Sequence, residues 1–402
     1  MRIAFLNPTG VLGGAELSLL DIIASFRLQP DVWDLHLILG QDGPLAERAR
    51  DQEVTVTVLP FPENLAQAGD AGDSGGRLKS TAKLARAGIS AISYGRELRR
   101  ALQTITPEVI HTNGFKMHIL GARNAAAGTP VIWNVRDFPS SRPVMARLLK
   151  GFLHRAAMIV TNSASVAADV RTVCGETVRV ETIYNAIDLQ EFSPDGDRLD
   201  LDQLAGLPPA AAGTIRVGLP GTLAHWKGHE VFLRALKLLP NDLAVRGYII
   251  GGALYQTVGS QYQIEDLRRL AVEIGLDANR IGFTGYLDRP AAALRTLDIV
   301  VHASTQPEPF GRVVAEALAC GRAVVASRAG GVTEIITEGV DALGHEPGDA
   351  AELAERIEAL ARDPALRERL GHAGRHTAER RFDRTRLAAE WAGVYQKATG
   401  SR

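Results

Sequence analysis

The feature that most constrains this chain is a rhythm of short apolar runs that starts, breaks off and starts again. The first series is RIAFLN (2–7), LHLILG (35–40), VTVTVL (54–59), EVIHTN (108–113), PVIWNV (130–135) and MIVTNS (158–163). The second is IRVGLPG (215–221), GYIIGG (247–252), RIGFTG (280–285), DIVVHAS (298–304) and AVVASRAGG (323–331). Runs apolar on both faces, each followed by a helix-length amphipathic stretch, predict parallel strands covered by helices on both sides. FSPDGDRLDLDQLAGLPPAAAG (192–213), rich in Pro, Gly and Asp, separates the series and reads as a connection. The expectation is an α/β protein of two Rossmann-like, doubly wound domains, 1–195 and 196–381, followed by a helical segment at 382–402. Ligands of such sheets sit beyond the carboxyl ends of the strands, so two facing domains offer one cleft with two walls.

Composition narrows the partners. Across 402 residues, 45 basic side chains meet 46 acidic ones for a net charge of −1. No clustered basic face points to nucleic acid. Cys174 and Cys320 lie in unrelated segments and suggest neither a disulfide framework nor a metal cluster, which fits a reducing cytoplasm. The amino terminus runs straight into a strand without a signal-peptide core, and no apolar run approaches the roughly 18 residues of a membrane span. ENLAQAGDAGDSGGRLKS (63–80) reads as a loop. The helical stretch after it carries Lys79, Lys83, Arg86, Arg96, Arg99 and Arg100 among apolar residues. Such a face suits solvent, or peripheral contact with the anionic inner face of a membrane.

The chemistry concentrates in EPFGRVVAE, Glu308 to Glu316, directly after the run DIVVHAS. A helix starting near Phe310 and Gly311 places Glu308 in the loop at its mouth and Glu316 within it. The open amides of that helix end can hold a phosphate or a sugar hydroxyl, and a carboxylate accepts hydrogen bonds from vicinal hydroxyls. An isolated pair of glutamates at this spacing is equally a cap and a surface residue, so the rest of the chain decides.

Five further segments accompany this pair: GGAE (Gly13 to Glu16), YNAID (Tyr184 to Asp188), GTLAHWKG (Gly221 to Gly228), FTG (Phe283 to Gly285) and GGVTE (Gly330 to Glu334). In kind and order they resemble the retaining family 4 glycosyltransferases of GT-B fold, over essentially the whole chain. The resemblance implies transfer of a hexose from a nucleotide diphosphate sugar, UDP- or GDP-linked first among them, to a hydroxyl of a glycan, lipid or natural product. It also implies retention of anomeric configuration, no metal or other cofactor, and a last helix (FDRTRLAAEWAGVYQKA, 382–398) that crosses back to the first domain.

Residue by residue, the resemblance assigns donor binding to Gly14, Gly221, Thr222, Lys227, Glu308, Phe310, Gly311, Arg312 and Glu316. Lys227, Glu308 and Asn113 become the catalytic set, and His111, Asn113, Arg136 and Asp137 the acceptor side. Lys227 would neutralise the departing diphosphate. Gly330, Gly331, Thr333 and Glu334 suit donor phosphates or a plain helix cap. The chain departs from the family at two positions. Thr222 stands where an arginine is usual, leaving Arg312 as one candidate substitute. Asn113 stands where the second histidine of H-x-H is usual, and an amide cannot carry a proton. A phosphorylase, a sugar-nucleotide hydrolase or epimerase, and an inactive nucleotide-sugar binder remain as alternatives.

Overall fold

A computed structural model of the chain describes residues 1–30, 32–62, 77–253 and 261–400, with side chains described from 90 onward in the helix that begins at 77. It divides into two compact units, Met1–Asn185 with Arg384–Arg402, and Ala186–Asp383.

In the first unit the strands are β1 (Arg2–Asn7), β2 (Asp34–Leu39), β3 (Thr55–Val58), β4 (Val109–Asn113), β5 (Val131–Val135), β6 (Ala156–Thr161) and β7 (Val180–Thr182). They form one parallel sheet in the order β3-β2-β1-β4-β5-β6-β7. Every residue of β4 and β5 is buried, as expected for strands sandwiched between helices. On one face Leu6, Ile110, Trp133 and Ile159 pack with Tyr94, Leu98 and Leu120. The closing helix Leu387–Thr399 belongs to this unit: Trp391 and Tyr395 are buried, and Ser25 accepts a hydrogen bond from the Ala388 amide at 2.7 Å. Each such aromatic contributes about 1.5–3 kcal/mol by leaving water.

The second unit repeats the plan with β8 (Ile215–Pro220), β9 (Val245–Ile250), β10 (Ile281–Gly285), β11 (Ile299–His302), β12 (Ala323–Ser327) and β13 (Leu343–His345). Their order is β10-β9-β8-β11-β12-β13, again all parallel. In both sheets the chain winds outward in one direction and then in the other. The reversal falls between β1 and β4 in the first unit and between β8 and β11 in the second, and such switch points open crevices at the strand ends.

Three features differ from the sequence expectation. β7 and β13, each three residues long and at a sheet edge, have no counterpart in the two series of apolar runs. The stretch 192–213 is built into the second unit. Arg295 donates to the carbonyls of Glu191, Ser193 and Asp197 at 3.0, 3.4 and 2.8 Å, and buried Asp202 accepts from Arg246, Tyr248 and Arg216. Finally, Arg77 to Ser80, read as the end of a loop, open the helix Arg77–Ile105. The rest of that loop, 63–76, lies outside the described residues, as do the side chains of Lys79, Lys83 and Arg86; Arg96, Arg99 and Arg100 are exposed.

Candidate active site

At the switch point of the second unit, two loops are locked together by glycine. Gly228 has φ +76°, and a Cβ there would lie 1.9 Å from the Ala303 carbonyl oxygen. Only glycine permits both the left-handed backbone and that approach. The Thr305 amide donates to the Trp226 carbonyl at 2.8 Å, adding a second tie. The loop after β8 is thereby held against the loop after β11, and Lys227 comes beside Glu308. Its Nζ lies 2.5 Å from Glu308 Oε1 and 4.3 Å from the centre of the Trp226 ring.

Glu308 is buried, and its donors converge on one oxygen. His302 Nε2 at 2.8 Å and Ser304 Oγ at 2.5 Å join Lys227 on Oε1. Among the described residues no donor reaches Oε2. His302 Nδ1 is buried and has no partner among the described residues. Burial alone would raise the Glu308 carboxyl. The Lys227 charge, then His302, outweigh it and hold the group well below the usual carboxylate range. It is therefore an anion with one committed oxygen and one open oxygen.

The backbone of Glu308 is fixed from the other side. It pairs with Gly330, and the Gly331 amide donates to its carbonyl at 2.7 Å. A Cβ on Gly330, at φ +64°, would lie 2.4 Å from that same oxygen. These glycines position Glu308. The Thr333 hydroxyl donates to the Gly330 carbonyl at 2.8 Å, and the Thr333 and Glu334 amides bond to Gly330 and Gly331. The Thr333 hydroxyl and the Thr333 and Glu334 amides are thereby engaged within the turn, as a helix cap requires.

Three other donor-side residues gain definite surroundings. The Phe310 ring is buried edge-on to Phe382 at 5.7 Å and serves the core. Gly311, at φ +92°, precedes the helix Arg312–Ala319. Arg312 Nε donates to Glu316 Oε1 at 2.7 Å, and its Nη1 reaches the Ala186 carbonyl at 3.3 Å. The cation proposed to replace an arginine at position 222 is therefore paired with the second glutamate of the motif. Gly221 and Thr222 follow at the end of β8, half-exposed, with open space where a Gly221 side chain would project.

In the first unit, Gly13 precedes the helix Gly14–Arg27, and Glu16 folds back to accept from the Gly13 amide at 3.1 Å and from Asn7 Nδ2 at 3.4 Å. Glu16 is a buried cap whose carboxyl is raised chiefly by desolvation, and Gly14 is exposed. His111 differs from its expected acceptor role. It is fully buried, with Nδ1 2.8 Å from the Tyr395 hydroxyl and Nε2 3.1 Å from Asn134 Nδ2. Burial, with lesser contributions from Arg136 and His118, pushes it down to about 3. A neutral imidazole with both nitrogens engaged supports the interior and offers no atom to an acceptor. Asn113, by contrast, is buried, and among the described residues neither atom of its amide has a hydrogen-bond partner. Arg136 donates to Asn185 Oδ1 at 2.5 Å, while Asp137 pairs with Arg142 at 3.1 Å, so the two neighbours do not form one ion pair.

Residues 211–377 match the model described as glycosyl transferases group 1, and residues 44–191 that of glycosyltransferase family 4. Alpha-maltose-1-phosphate synthase of Mycobacterium tuberculosis is 31% identical over 99% of this chain and 99% of its own length. The chain belongs to glycosyltransferase family 4. A D-inositol 3-phosphate glycosyltransferase of Streptomyces bingchenggensis is 30% identical over 65% of this chain, which spans only 56% of that relative's length. Among solved structures, Alr3699/HepE of Anabaena in complex with UDP and glucose superposes with a TM-score of 0.79 at 26% identity, covering 98% of this chain and 99% of that one. Sucrose-phosphate synthase of Thermosynechococcus elongatus, 19% identical with a TM-score of 0.77 over the full length of both chains, shares the fold. These neighbours are GT-B glycosyltransferases, and the two Rossmann-like units of this family member follow their architecture.

Two site residues escaped the sequence reading, His302 and Ser304. They sit at the end of β11 and just beyond it. The signal was a pair of polar residues closing the otherwise apolar run DIVVHAS, directly before the glutamate motif.

Proposed function

We propose that this chain is a retaining, metal-independent hexosyltransferase that moves a sugar from a nucleotide diphosphate donor to a hydroxyl acceptor. The observation that carries this reading is the Lys227–Glu308 pair at the switch point of the second unit, with Glu308 Oε1 saturated and Oε2 open. Lys227 meets the charge that develops on the leaving diphosphate, and Glu308 Oε2 accepts from a hydroxyl of the donor sugar. The acceptor oxygen bonds to the anomeric carbon on the face the diphosphate leaves. The carbon–oxygen bond to the diphosphate breaks, and the departing phosphate oxygen takes the acceptor's proton. The products are a glycoside and a nucleoside diphosphate. Glu308 stays ionised throughout and positions the sugar rather than attacking it. The UDP and glucose held by the Anabaena relative support a UDP-sugar donor.

The test is a thermal-shift panel of UDP-, GDP-, ADP- and TDP-sugars, followed by product analysis by NMR. Stabilisation by one donor class, and an axial or equatorial product matching the donor anomer, are expected. Donor cleavage by water or phosphate that no organic acceptor accelerates would replace the transferase with a hydrolase or phosphorylase. Binding without any turnover would leave a nucleotide-sugar binding protein.

A further inference from the structure

Glu308 takes two of its three donors, His302 and Ser304, from one short segment, and a pair of buried polar side chains stands behind that segment. β11, β12 and β13 are consecutive in the second sheet. Ser327 closes β12, His345 closes β13, and the two are register partners. Both are fully buried. A buried hydroxyl or ring nitrogen needs a hydrogen-bond partner, and here the partners include main-chain carbonyls of the donor segment. Ser327 Oγ donates to the Ser304 carbonyl at 2.7 Å, and His345 Nε2 lies 3.2 Å from the His302 carbonyl. The carbonyl between them, that of Ala303, is the one against which Gly228 closes. Three consecutive carbonyls are thus met from three different elements.

The contact to Ser304 has the more direct consequence. β11 ends at His302, so Ser304 stands beyond the strand ladder, and sheet pairing does not fix its peptide plane. A serine hydroxyl sits one bond past Cβ in one of three staggered wells, so its position follows the backbone. That hydroxyl lies 2.5 Å from Glu308 Oε1 and 3.1 Å from His302 Nε2. Anchoring the Ser304 carbonyl therefore also anchors the hydroxyl on Oε1. A hydroxyl released from Oε1 is free to turn to Oε2, the oxygen that the donor sugar needs. Among the described residues the Ser327 hydroxyl bonds only the Ser304 carbonyl, so its influence on Glu308 passes through Ser304.

Resting on the transferase reading, we infer that Ser327 is a positioning residue of the donor-sugar site. Through the Ser304 carbonyl it holds the Ser304 hydroxyl on Glu308 Oε1, and so keeps Oε2 available to a hydroxyl of the donor sugar. It exchanges no proton and forms no bond in the reaction. Its effect is on the sugar half of the donor and leaves the nucleotide half untouched.

The test is a double-mutant cycle on the full chain: native, Ser327→Ala, Ser304→Ala and the double variant. Calorimetry measures the affinity of each for the nucleotide sugar that the donor panel selects, UDP-glucose first, and for the matching nucleoside diphosphate alone. Ser327→Ala should weaken nucleotide-sugar binding about fivefold, as the loss of one hydrogen bond implies, while affinity for the diphosphate stays within about twofold and shows the unit to be folded. Its kcat/KM for donor should fall about tenfold, because a displaced sugar is also misaligned for transfer. In the Ser304→Ala background the same substitution should change either quantity by less than about twofold, since the two residues act as one unit. The inference is overturned if Ser327→Ala binds the nucleotide sugar as the native chain does, if its loss persists in full beside Ser304→Ala, or if diphosphate affinity falls equally. Coupled affinities in a native chain that transfers no sugar would remove the transferase reading and leave Ser327 in its positioning role. A native chain that binds no nucleotide sugar overturns both.

Discussion

Both sheets wind in the same order and reverse at the same place, yet their carboxyl-terminal edges carry opposite chemistry. In the second unit the edge is ionic: a buried carboxylate, a lysine, a histidine and a serine converge within hydrogen-bond distance. In the first it is a row of amides, at Asn7, Asn113, Asn134, Asn162 and Asn185. Its histidine is sealed in the interior, Asp137 is paired with Arg142, and Arg136 is bonded to the Asn185 amide. The fold therefore supplies the crevice, while the chemistry depends on which residues end each strand.

That contrast can be broken most directly at Lys227. Lys227→Ala should lower kcat/KM by about 100- to 1,000-fold, the cost of removing one preorganised group that stabilises transition-state charge. The loss should fall mainly in kcat. Steady-state kinetics with both substrates varied measures this, and a pure acceptor-KM effect at Lys227 would erase the contrast. Next comes His302→Leu, which removes one donor from Glu308 Oε1 and should cost about tenfold in rate, since a hydrogen bond to a charged group contributes about 1.5–3 kcal/mol and Lys227 and Ser304 remain. His302→Gln, which keeps a donor, should recover most of it.

In the first unit, Tyr395→Phe leaves the His111 ring nitrogen without its partner. It should destabilise the protein by about 1–3 kcal/mol in urea denaturation with little change in kcat. The pH response sharpens the comparison further. His111 and His118 are both pushed down to about 3 by burial, so between about 6.5 and 3 the unfolded chain binds protons that the native state refuses, and stability should fall across that window. The contribution of Glu308 runs through a lower window. Its depressed carboxyl stabilises the fold above the unfolded value of about 4.3 and loses that contribution only as the pH falls further. The stability difference between native protein and Glu308→Gln should thus stay constant from pH 8 to about 5 and shrink below. The smallest effect is expected from chelation: dialysis against EDTA should leave the transfer rate unchanged.

Much of this was legible in the amino-acid order, for a local reason. Two-sided apolar runs mark buried parallel strands, the turn glycines announce themselves where a side chain cannot fit, and the glutamate motif lies within nine residues. The same locality hid β7 and β13, whose three residues at a sheet edge are too few to make a pattern, and it made 192–213 look like a tether. The grip of Arg295 and Arg246 on that stretch arises from residues 38 to 102 positions away.

What the tertiary structure alone decided are the pairings between distant residues. Lys227 meets Glu308 across 81 positions, and His111 meets Tyr395 across 284. Those contacts determine which carboxylate oxygen is open, turn an expected acceptor ligand into a core histidine, and bring five scattered asparagines onto one edge. The sequence by itself determined the two doubly wound sheets and the family, because burial periodicity and backbone sterics act between near neighbours. The state of each functional group was left to the fold, because desolvation and hydrogen bonding depend on whatever the packed chain brings alongside.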